Sequence, residues 1–311
     1  MKTTITAITA VWLLACNVNY EKTPSGLVYK VFPGKGGEKP KAGEFVKFHL
    51  RYVIGNNDSI LPSSYGKIPG FSPLDTGKHS EYTFMEIIPK LSAGDSAEIV
   101  MSIDTLKSRK YIPEYDSIFT KGGTIKCSLK LLEIYKSDSA MMVDYQKESG
   151  LEKDREIQAV EKYMAQKNIK GVKTKNGAFA AIEVAGDPLL KADSGKIAVI
   201  KYKGYFMKDG KVFDTNMDTT KGHTEPIEVY VGIHDGRHDV MQGWNEALPY
   251  FSKGSKGKIL VPAVLAYGPQ GRGPEMPAYS NLVFDIEILD VKNMPAENKS
   301  KSPPQPPVEH E

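Results

Sequence analysis

The sequence has 311 residues, a formal net charge of +3 and two cysteines. This length is enough for two domains, each with its own hydrophobic core. The small charge, without a basic stripe interleaved with aromatic residues, argues against a nucleic acid partner, and Cys16 and Cys127 do not have the spacing of a metal site or a disulfide framework.

The chain begins with a predicted signal peptide, residues 1–15. Lys2 precedes a short apolar run that ends at Leu14, and this run is too short to span a bilayer, which needs about 20 apolar residues. The run leads into Leu-Ala-Cys at Cys16, which resembles the bacterial lipobox. The resemblance implies cleavage before Cys16 and lipid attachment to that residue, and each buried CH₂ of an acyl chain contributes ~0.8 kcal/mol.

A plain signal peptide with an incidental cysteine is the alternative to a lipid anchor. Asn17 follows the cysteine, where an aspartate would resemble an inner-membrane retention signal. We therefore expect a location in the cell envelope, anchored in the outer membrane and facing the periplasm, with residues 16–22 as a tether.

Residues 23–135 form the first predicted domain. Residues 28–32 have strand composition, and residues 45–52 alternate apolar and polar side chains as a half-buried strand does. The pattern then recurs. Gly26 is matched by Gly177, and residues 45–52, 91–99 and 129–134 are matched in order by residues 197–202, 251–259 and 286–291. Ordered matches at nearly constant spacing indicate a duplication, and short strands with one helix signal per copy predict an α+β fold.

Residues 136–171 are predicted to be a helical linker between the copies. Ser137 can cap a helix, and Ile157, Val160 and Met164 fall on one helical face. The stripe either packs on a neighbouring domain, belongs to a partly solvated spacer or forms a dimer contact, and the oligomeric state stays open. The Pro-, Lys- and Glu-rich residues 294–311 predict a disordered tail.

Five short motifs stand in order within residues 172–293. They are Tyr202-Lys203-Gly204, Lys211-Val212-Phe213-Asp214-Thr215, Val240-Met241-Gln242-Gly243-Trp244, Ala266-Tyr267-Gly268 and Leu282-Val283-Phe284-Asp285. Together they resemble the FKBP-type peptidyl-prolyl isomerases. The resemblance implies a curved antiparallel sheet wrapped around a short helix in each copy.

The resemblance also implies an apolar pocket that binds proline and needs no metal or cofactor. Its catalytic residues would be Tyr202, Asp214 and Tyr267, with the Tyr267 hydroxyl and the Met241 main-chain N–H donating to substrate carbonyls. Trp244 would form the floor. The substrate-binding residues would be Phe213, Ile227, Val240, Met241, Trp244, Met276 and Phe284, with Ile227 in place of the family's usual aromatic residue.

Three histidines in the second copy lie near one another in sequence without metal-ligand spacing. His223, His234 and His238 are therefore interpreted as solvated side chains. The basic residue that often partners the aspartate in the family has no evident counterpart here.

The first copy keeps the strands but few pocket residues. Leu50 falls at Tyr202, Ile60-Leu61 at Phe213-Asp214, Phe84 at Trp244 and Cys127 at Phe284. Without the carboxylate and an Ala-Tyr-Gly motif, we predict a degenerate copy that has no isomerase activity, with Cys127 as a buried free thiol.

The expected function is a peptidyl-prolyl cis-trans isomerase that assists the folding of envelope or secreted proteins. Its partners would be proline-containing unfolded or nascent envelope proteins, together with the membrane through Cys16. The alternative is a non-catalytic periplasmic chaperone or scaffold that uses the same apolar clefts.

Overall fold

The computed structural model of the protein describes residues 19–55, 63–75, 81–233, 236 and 238–295. Contacts between residues divide the chain into two compact units, and the division falls in the sequence between Glu148 and Ser149. The predicted signal peptide, the lipid site at Cys16, the Ile60-Leu61 pair and almost all of the predicted tail lie outside the described residues. Within those residues, no helix combines the length and the apolar character needed to cross a bilayer.

In the described part of the first unit, six strands form one antiparallel sheet. In chain order they are β1 (Glu21–Lys22), β2 (Val28–Phe32), β3 (Phe45–Ile54), β4 (Gly70–Pro73), β5 (Ser96–Ser102) and β6 (Thr124–Tyr135). Their order in the sheet is β1-β2-β5-β6-β3-β4. Two 3-10 helices, Phe84–Glu86 and Ile88–Lys90, precede β5, and helix α1 (Ile103–Ser108) follows it.

Alternating burial along the strands explains the core of the first unit. In β6, Ile125, Cys127, Leu129 and Leu131 are buried, while the residues between them are exposed, because successive side chains of a strand point to opposite faces. Cys127 is fully buried and free, as predicted.

Helix α2 (Asp138–Lys167) follows β6. The Ser137 hydroxyl accepts a hydrogen bond from the Ala140 N–H at 3.3 Å, so this serine caps the helix as its sequence position predicts. Within the first unit, the Lys47 amine on β3 donates to Asp144 at 2.6 Å and to Glu148 at 2.8 Å. These ion pairs attach the first part of α2 to the sheet of the first unit.

The later part of α2 packs on the sheet of the second unit. Its apolar stripe, Ile157, Val160 and Met164, is buried in one cluster with Phe179, Ala181, Leu260 and Val283. Of the three interpretations of this helix, the structure shows the packed stripe.

The second unit has seven strands among its described residues, again in one antiparallel sheet. They are β7 (Val172–Lys173), β8 (Phe179–Val184), β9 (Lys196–Phe206), β10 (Val212–Thr215), β11 (Ile227–Tyr230), β12 (Lys256–Val261) and β13 (Leu282–Asn293). The order is β7-β8-β12-β13-β9-β10, and β11 also pairs with β9. Helix α3 (Gln242–Ala247) and three 3-10 helices, Thr219–Lys221, Leu248–Tyr250 and Ala263–Leu265, connect the strands.

The short helix α3 supplies the centre of the second core. Trp244 and Ala247 are buried in one cluster with Ile200 of β9, Ile259 of β12 and Phe284 of β13. An antiparallel sheet therefore encloses a short helix, and the predicted α+β fold is confirmed.

The two sheets share details that a chance likeness would not reproduce. The order β1-β2-β5-β6-β3 corresponds to β7-β8-β12-β13-β9. The last strand of each unit has a bulge at the corresponding place, between Leu131 and Glu133 in β6 and between Ile288 and Asp290 in β13. A bulge changes twist and pairing locally, so its repetition supports the predicted duplication.

A half-buried acid also occupies the same place in both units, which the sequence comparison missed. Glu246 accepts hydrogen bonds from the Thr174 hydroxyl at 2.7 Å and the Asn176 N–H at 3.0 Å. Glu86 accepts one from the Ser25 hydroxyl at 2.6 Å. Each acid fastens the opening hairpin of its unit to the helical turn that precedes the next long strand.

Candidate active site

The predicted pocket residues come from separate parts of the second unit. β9 carries Tyr202, β10 carries Phe213 and Asp214, β11 carries Ile227, the segment before α3 carries Val240 and Met241, α3 carries Trp244, the loop before β13 carries Tyr267 and Met276, and β13 carries Phe284. All except Asp214 lie in or against one hydrophobic cluster. A hydrogen bond joins Asp214 to that cluster through Tyr202.

Aromatic rings meet edge to face around Trp244. The Trp244 ring lies 5.6 Å from Tyr202 and 5.1 Å from Phe284, at interplanar angles of 83° and 88°. Phe213 meets Phe284 at 5.7 Å and 83°. Ring quadrupoles favour this edge-to-face arrangement. It leaves ring faces and edges available for contact with an apolar ligand.

Gly204 makes room for two of these rings. A Cβ atom at this position would lie 2.6 Å from Phe213 Cζ and 2.9 Å from Phe284 Cε1. Only glycine allows the strand to approach both rings this closely. The sequence motif contained Gly204, but this reason for it depends on the three-dimensional packing.

A carboxylate at the edge of the ring cluster binds two side chains. The Tyr202 hydroxyl donates to Asp214 Oδ2 at 2.5 Å, and His223 Nε2 lies 3.0 Å from Asp214 Oδ1. His223 is exposed, as expected of a solvated side chain, and it also contacts Asp214, which its place in the sequence did not indicate. His223 lies nine positions after Asp214, and no periodic pattern in the sequence links the two.

The surroundings shift the pKa values of this pair in opposite directions. Burial and the bond to Asp214 raise the pKa of the Tyr202 hydroxyl. Burial alone would raise the pKa of the Asp214 carboxyl, but the hydrogen bonds from Tyr202 and His223 outweigh it and lower that pKa. At neutral pH the pair is therefore a neutral phenol that donates to an ionised carboxylate.

Asn216 fixes the position of this acid, although sequence reasoning did not single it out. Its Oδ1 accepts from the Tyr202 N–H at 2.6 Å, and its own N–H donates to the Tyr202 carbonyl at 3.0 Å. Its Nδ2 donates to the carbonyls of Ile200 at 3.2 Å and Glu225 at 2.9 Å. Asn216 is fully buried, so these bonds hold the end of β10 beside Tyr202.

Tyr267 lies in a tight turn after the 3-10 helix Ala263–Leu265. The Gly268 N–H donates to the Ala263 carbonyl at 2.8 Å, and Gly268 has a φ of +57°, which a glycine adopts without strain. The Arg272 guanidinium lies 5.8 Å from the centre of the Tyr267 ring, within the range of a cation–π contact.

The segment before α3 places Met241 at the helix start. Its carbonyl accepts hydrogen bonds from the N–H groups of Trp244 at 3.0 Å and Asn245 at 3.3 Å, which fixes the peptide orientation there. A cleft of about 530 Å³, lined in part by Val240, Asp239 and Asn245, lies beside this segment.

The site can therefore enclose a small apolar ring and present a carboxylate and hydroxyl groups at its rim. In the described part of the chain, no group of three or more His, Cys, Asp or Glu side chains is arranged to hold a metal ion.

A comparison with known protein families agrees with the family resemblance of the sequence motifs. Residues 190–289 match the family described as FKBP-type peptidyl-prolyl cis-trans isomerase. The second unit carries an FKBP-type domain. The match covers strands β9 to β12, helix α3, most of β13 and every predicted pocket residue from Tyr202 to Phe284.

Individual relatives match over the same part of the chain. The FKBP-type isomerase FkpA of Escherichia coli (strain K12) is 42% identical over 127 residues, which are 40% of this chain and 42% of that protein. FKBP14 of Mus musculus is 33% identical over 122 residues, which are 38% of this chain and 54% of that protein. The chain thus spans about half the length of these curated relatives.

Among solved structures, the crystal structure of FkpA from Escherichia coli is similar with 32% sequence identity and a TM-score of 0.37. That match covers 50% of this chain and 67% of the solved chain.

The first unit has different residues at the corresponding positions. Ile99 pairs with Cys127 as Ile259 pairs with Phe284, and Tyr52 pairs with Cys127 as Gly204 pairs with Phe284. Cys127 therefore does correspond to Phe284, and a tyrosine replaces the glycine that admits the rings.

The turn that carries Tyr267 also differs. In the first unit, helix α1 continues to Ser108. In the second unit, the corresponding 3-10 helix ends at Leu265, and the chain then turns. Lys107 of α1 stands at the place of Tyr267, counted from the preceding strand of each unit.

Proposed function

We propose that the second unit catalyses cis–trans isomerisation of X-Pro peptide bonds. The observation that carries this proposal is the ring cluster of Tyr202, Phe213, Trp244 and Phe284, joined to the Asp214 carboxylate at its rim. The family match to residues 190–289 and the names of the relatives support it. Proline has the small apolar ring that such a cluster encloses.

The chemistry requires no covalent intermediate. Resonance holds the amide planar, and rotation must cross a barrier of about 18–20 kcal/mol. A twisted amide has lost this resonance and is less charge-separated than the planar form. A dry apolar pocket therefore destabilises the planar amide more than the twisted one, and this difference accelerates rotation by about tenfold for each 1.4 kcal/mol.

The polar groups at the rim hold the substrate while the bond turns. In this proposal the Tyr267 hydroxyl and the Met241 main-chain N–H donate to substrate carbonyls on either side of the rotating bond. Asp214 keeps the Tyr202 hydroxyl in place, so the Tyr202 ring stays against Trp244 as a wall of the pocket. The proline ring would contact Phe213, Trp244 and Phe284.

The test is an isomerisation assay on the full chain with a proline-containing peptide. NMR exchange spectroscopy measures the rate of interconversion between the cis and trans forms of the peptide. Tyr267→Phe removes only the hydroxyl, and we expect kcat/KM to fall by about tenfold. Tyr250→Phe is the matched control, because Tyr250 is 46% exposed and lies outside the ring cluster. An inactive wild-type chain that still suppresses aggregation of an unfolded protein would favour the non-catalytic chaperone.

The first unit is proposed to be a degenerate copy without isomerase activity. Its Tyr52 and Cys127 stand where the second unit has Gly204 and Phe284, which supports this proposal. A full-length Trp244→Ala chain should have no residual isomerase activity. Residual activity with an intact first unit would contradict the proposal.

The location in the cell envelope is also a proposal, and it rests on the leader-like start and on the lipobox resemblance at Cys16. Lipid attachment would place the isomerase at the outer membrane, where proline-containing unfolded envelope proteins would be its substrates. Mass spectrometry of the mature protein should find Cys16 as a lipidated first residue, and an unmodified Cys16 would refute the anchor.

A further inference from the structure

A carboxylate on the linker helix reaches the turn that carries Tyr267. Glu156 of α2 is only 3% exposed, and its Oε2 accepts a hydrogen bond from the Val264 N–H at 2.7 Å. Val264 is the middle residue of the 3-10 helix Ala263–Leu265, three positions before Tyr267. Both Glu156 and this turn belong to the second unit.

The contact binds an N–H group at the start of a helical turn. Such groups have no acceptor within the helix and need one elsewhere. Two side chains serve here: Asn281 Oδ1 accepts from the Ala263 N–H at 2.8 Å, and Glu156 accepts from the next N–H in the chain.

The orientation of this 3-10 helix determines where Tyr267 lies. The Ala263 carbonyl accepts from the N–H groups of Ala266 at 2.9 Å and Gly268 at 2.8 Å, which flank Tyr267 on both sides. Ala266 has a φ of −118° and a ψ of −107°, outside the helical and strand regions. A rotation of the short helix would therefore move the Tyr267 hydroxyl.

Glu156 is itself held firmly. The next residue, Ile157, is buried against the sheet, and a Cβ atom at Gly177 would lie 2.3 Å from its Cδ1. Val160 and Met164, one and two turns further along, are buried in the same cluster with Leu260 of β12. The 3-10 helix Ala263–Leu265 begins two residues after β12. Strand β12 therefore supports both α2 and the turn that carries Tyr267.

We propose that Glu156 is a positioning residue for prolyl isomerisation, through which the linker helix fixes the Tyr267 turn. This inference rests on the proposed function for its effect on catalysis. It also means that the catalytic unit includes the later part of α2, because residues 172–293 alone would lack the Glu156 carboxylate.

The first experiment compares Glu156→Ala and Glu156→Gln in the full chain. Glu156→Ala should lower kcat by about tenfold with a smaller change in KM, because the ring cluster that binds proline keeps its own contacts. Glu156→Gln retains an acceptor oxygen of the same reach and should restore most of kcat. Glu161→Ala is the matched control, since Glu161 is on the same helix and pairs with Lys173 on the surface. Equal losses in the Ala and Gln variants would overturn the inference.

A double-mutant cycle separates positioning from a general loss of stability. If Glu156 acts through Tyr267, the Glu156→Ala change should have little further effect on kcat in a Tyr267→Phe chain. Additive losses would mean that Glu156 acts elsewhere, and would overturn the inference.

A readout without catalysis keeps this test distinct from that of the proposed function. In the Glu156→Ala chain, amide hydrogen exchange should accelerate at Val264 and Gly268 and stay unchanged in β13. Unchanged exchange at the turn would overturn the positioning role even in an active enzyme. A wild-type chain without isomerase activity would refute the proposed function, whereas faster exchange confined to the turn would still support the structural contact.

Discussion

The first and second units share a strand arrangement and differ in the side chains at its centre. Both have the same strand order, the same bulge in the last strand and an acid that fastens the opening hairpin. At the centre, the second unit has Gly204 against Phe213 and Phe284, whereas the first has Tyr52 against Cys127. The fold therefore does not require the aromatic cluster, and the cluster needs another explanation.

Tyr52 and Cys127 form a small polar contact within an apolar core. The two side chains share a hydrogen bond, and burial raises the pKa of the Cys127 thiol to about 12. The thiol is therefore protonated and unreactive at neutral pH. In the first unit a tyrosine ring stands at the position where the second unit has Gly204 against the rings of Phe213 and Phe284.

The two units share a further contact, in which a polar side chain accepts a hydrogen bond from a backbone N–H of the long strand β3 or β9. We call this contact the latch. The Leu50 N–H donates to Ser64 Oγ at 2.8 Å, as the Tyr202 N–H donates to Asn216 Oδ1. Ser64 therefore corresponds to Asn216.

The largest expected effect comes from giving the second unit the tyrosine of the first. In Gly204→Tyr, the new side chain must displace Phe213 and Phe284, so we expect kcat/KM to fall by at least about 100-fold. The isomerisation assay measures this, with circular dichroism to show that the chain is folded. Lys203→Tyr adds the same ring to the opposite face of β9 and should leave activity unchanged. Equal losses in both variants would refute the role of Gly204.

Removing the ring at the centre of each unit should separate function from stability. Trp244→Ala should destabilise the second unit by about 3–5 kcal/mol and abolish isomerisation. Phe84→Ala should cost less, because Phe84 is only partly buried, and it should leave isomerisation intact. Denaturant unfolding and the peptide assay give the two readings. Loss of activity in Phe84→Ala would mean that the first unit contributes to catalysis.

A smaller effect is expected when the latch of the second unit is reduced to that of the first. Asn216→Ser keeps an acceptor but loses the bonds from Nδ2 to the carbonyls of Ile200 and Glu225. Each lost bond should cost about 1 kcal/mol of unfolding free energy. Because the end of β10 is then less fixed, KM should rise more than kcat falls. Ser64→Ala in the first unit should lower stability without changing either constant.

The repeat, the α+β fold and the ring cluster could be predicted because they depend on local patterns. Strand alternation gave the inward side chains, and the ordered motifs gave Tyr202, Trp244 and Phe284. The family resemblance also placed Asp214 in the site, where it binds the Tyr202 hydroxyl.

The contacts that sequence reasoning missed join distant segments through irregular loops. His223 reaches Asp214 because the 3-10 helix Thr219–Lys221 ends at Gly222 with a φ of +80°, which reverses the chain. Glu156 reaches Val264 across 108 residues. The position of such a contact depends on how a helix packs on a sheet, and neither hydrophobic period nor spacing encodes that.

The smallest expected effect concerns the acid that the first unit lacks. Burial opposes ionisation of Asp214, but bonds from Tyr202 and His223 hold its folded pKa below the ordinary value of 3.8. Its contribution to stability is therefore fully present above that value and disappears as pH falls through the folded pKa. Asp214→Asn should be less stable than the wild type at pH 7, and the difference should vanish in strong acid.

Denaturant unfolding at several pH values measures this difference for the second unit. Asp209→Asn is the matched control, because Asp209 lies in the exposed turn before β10, where it accepts a bond from the Lys211 N–H. A stability difference for Asp214→Asn that persists unchanged into strong acid would mean that the amide disturbs packing, and that the carboxylate charge does not stabilise the contact with Tyr202 and His223. In that case the first unit would have lost a structural contact, and the acid would not distinguish an active copy from an inactive one.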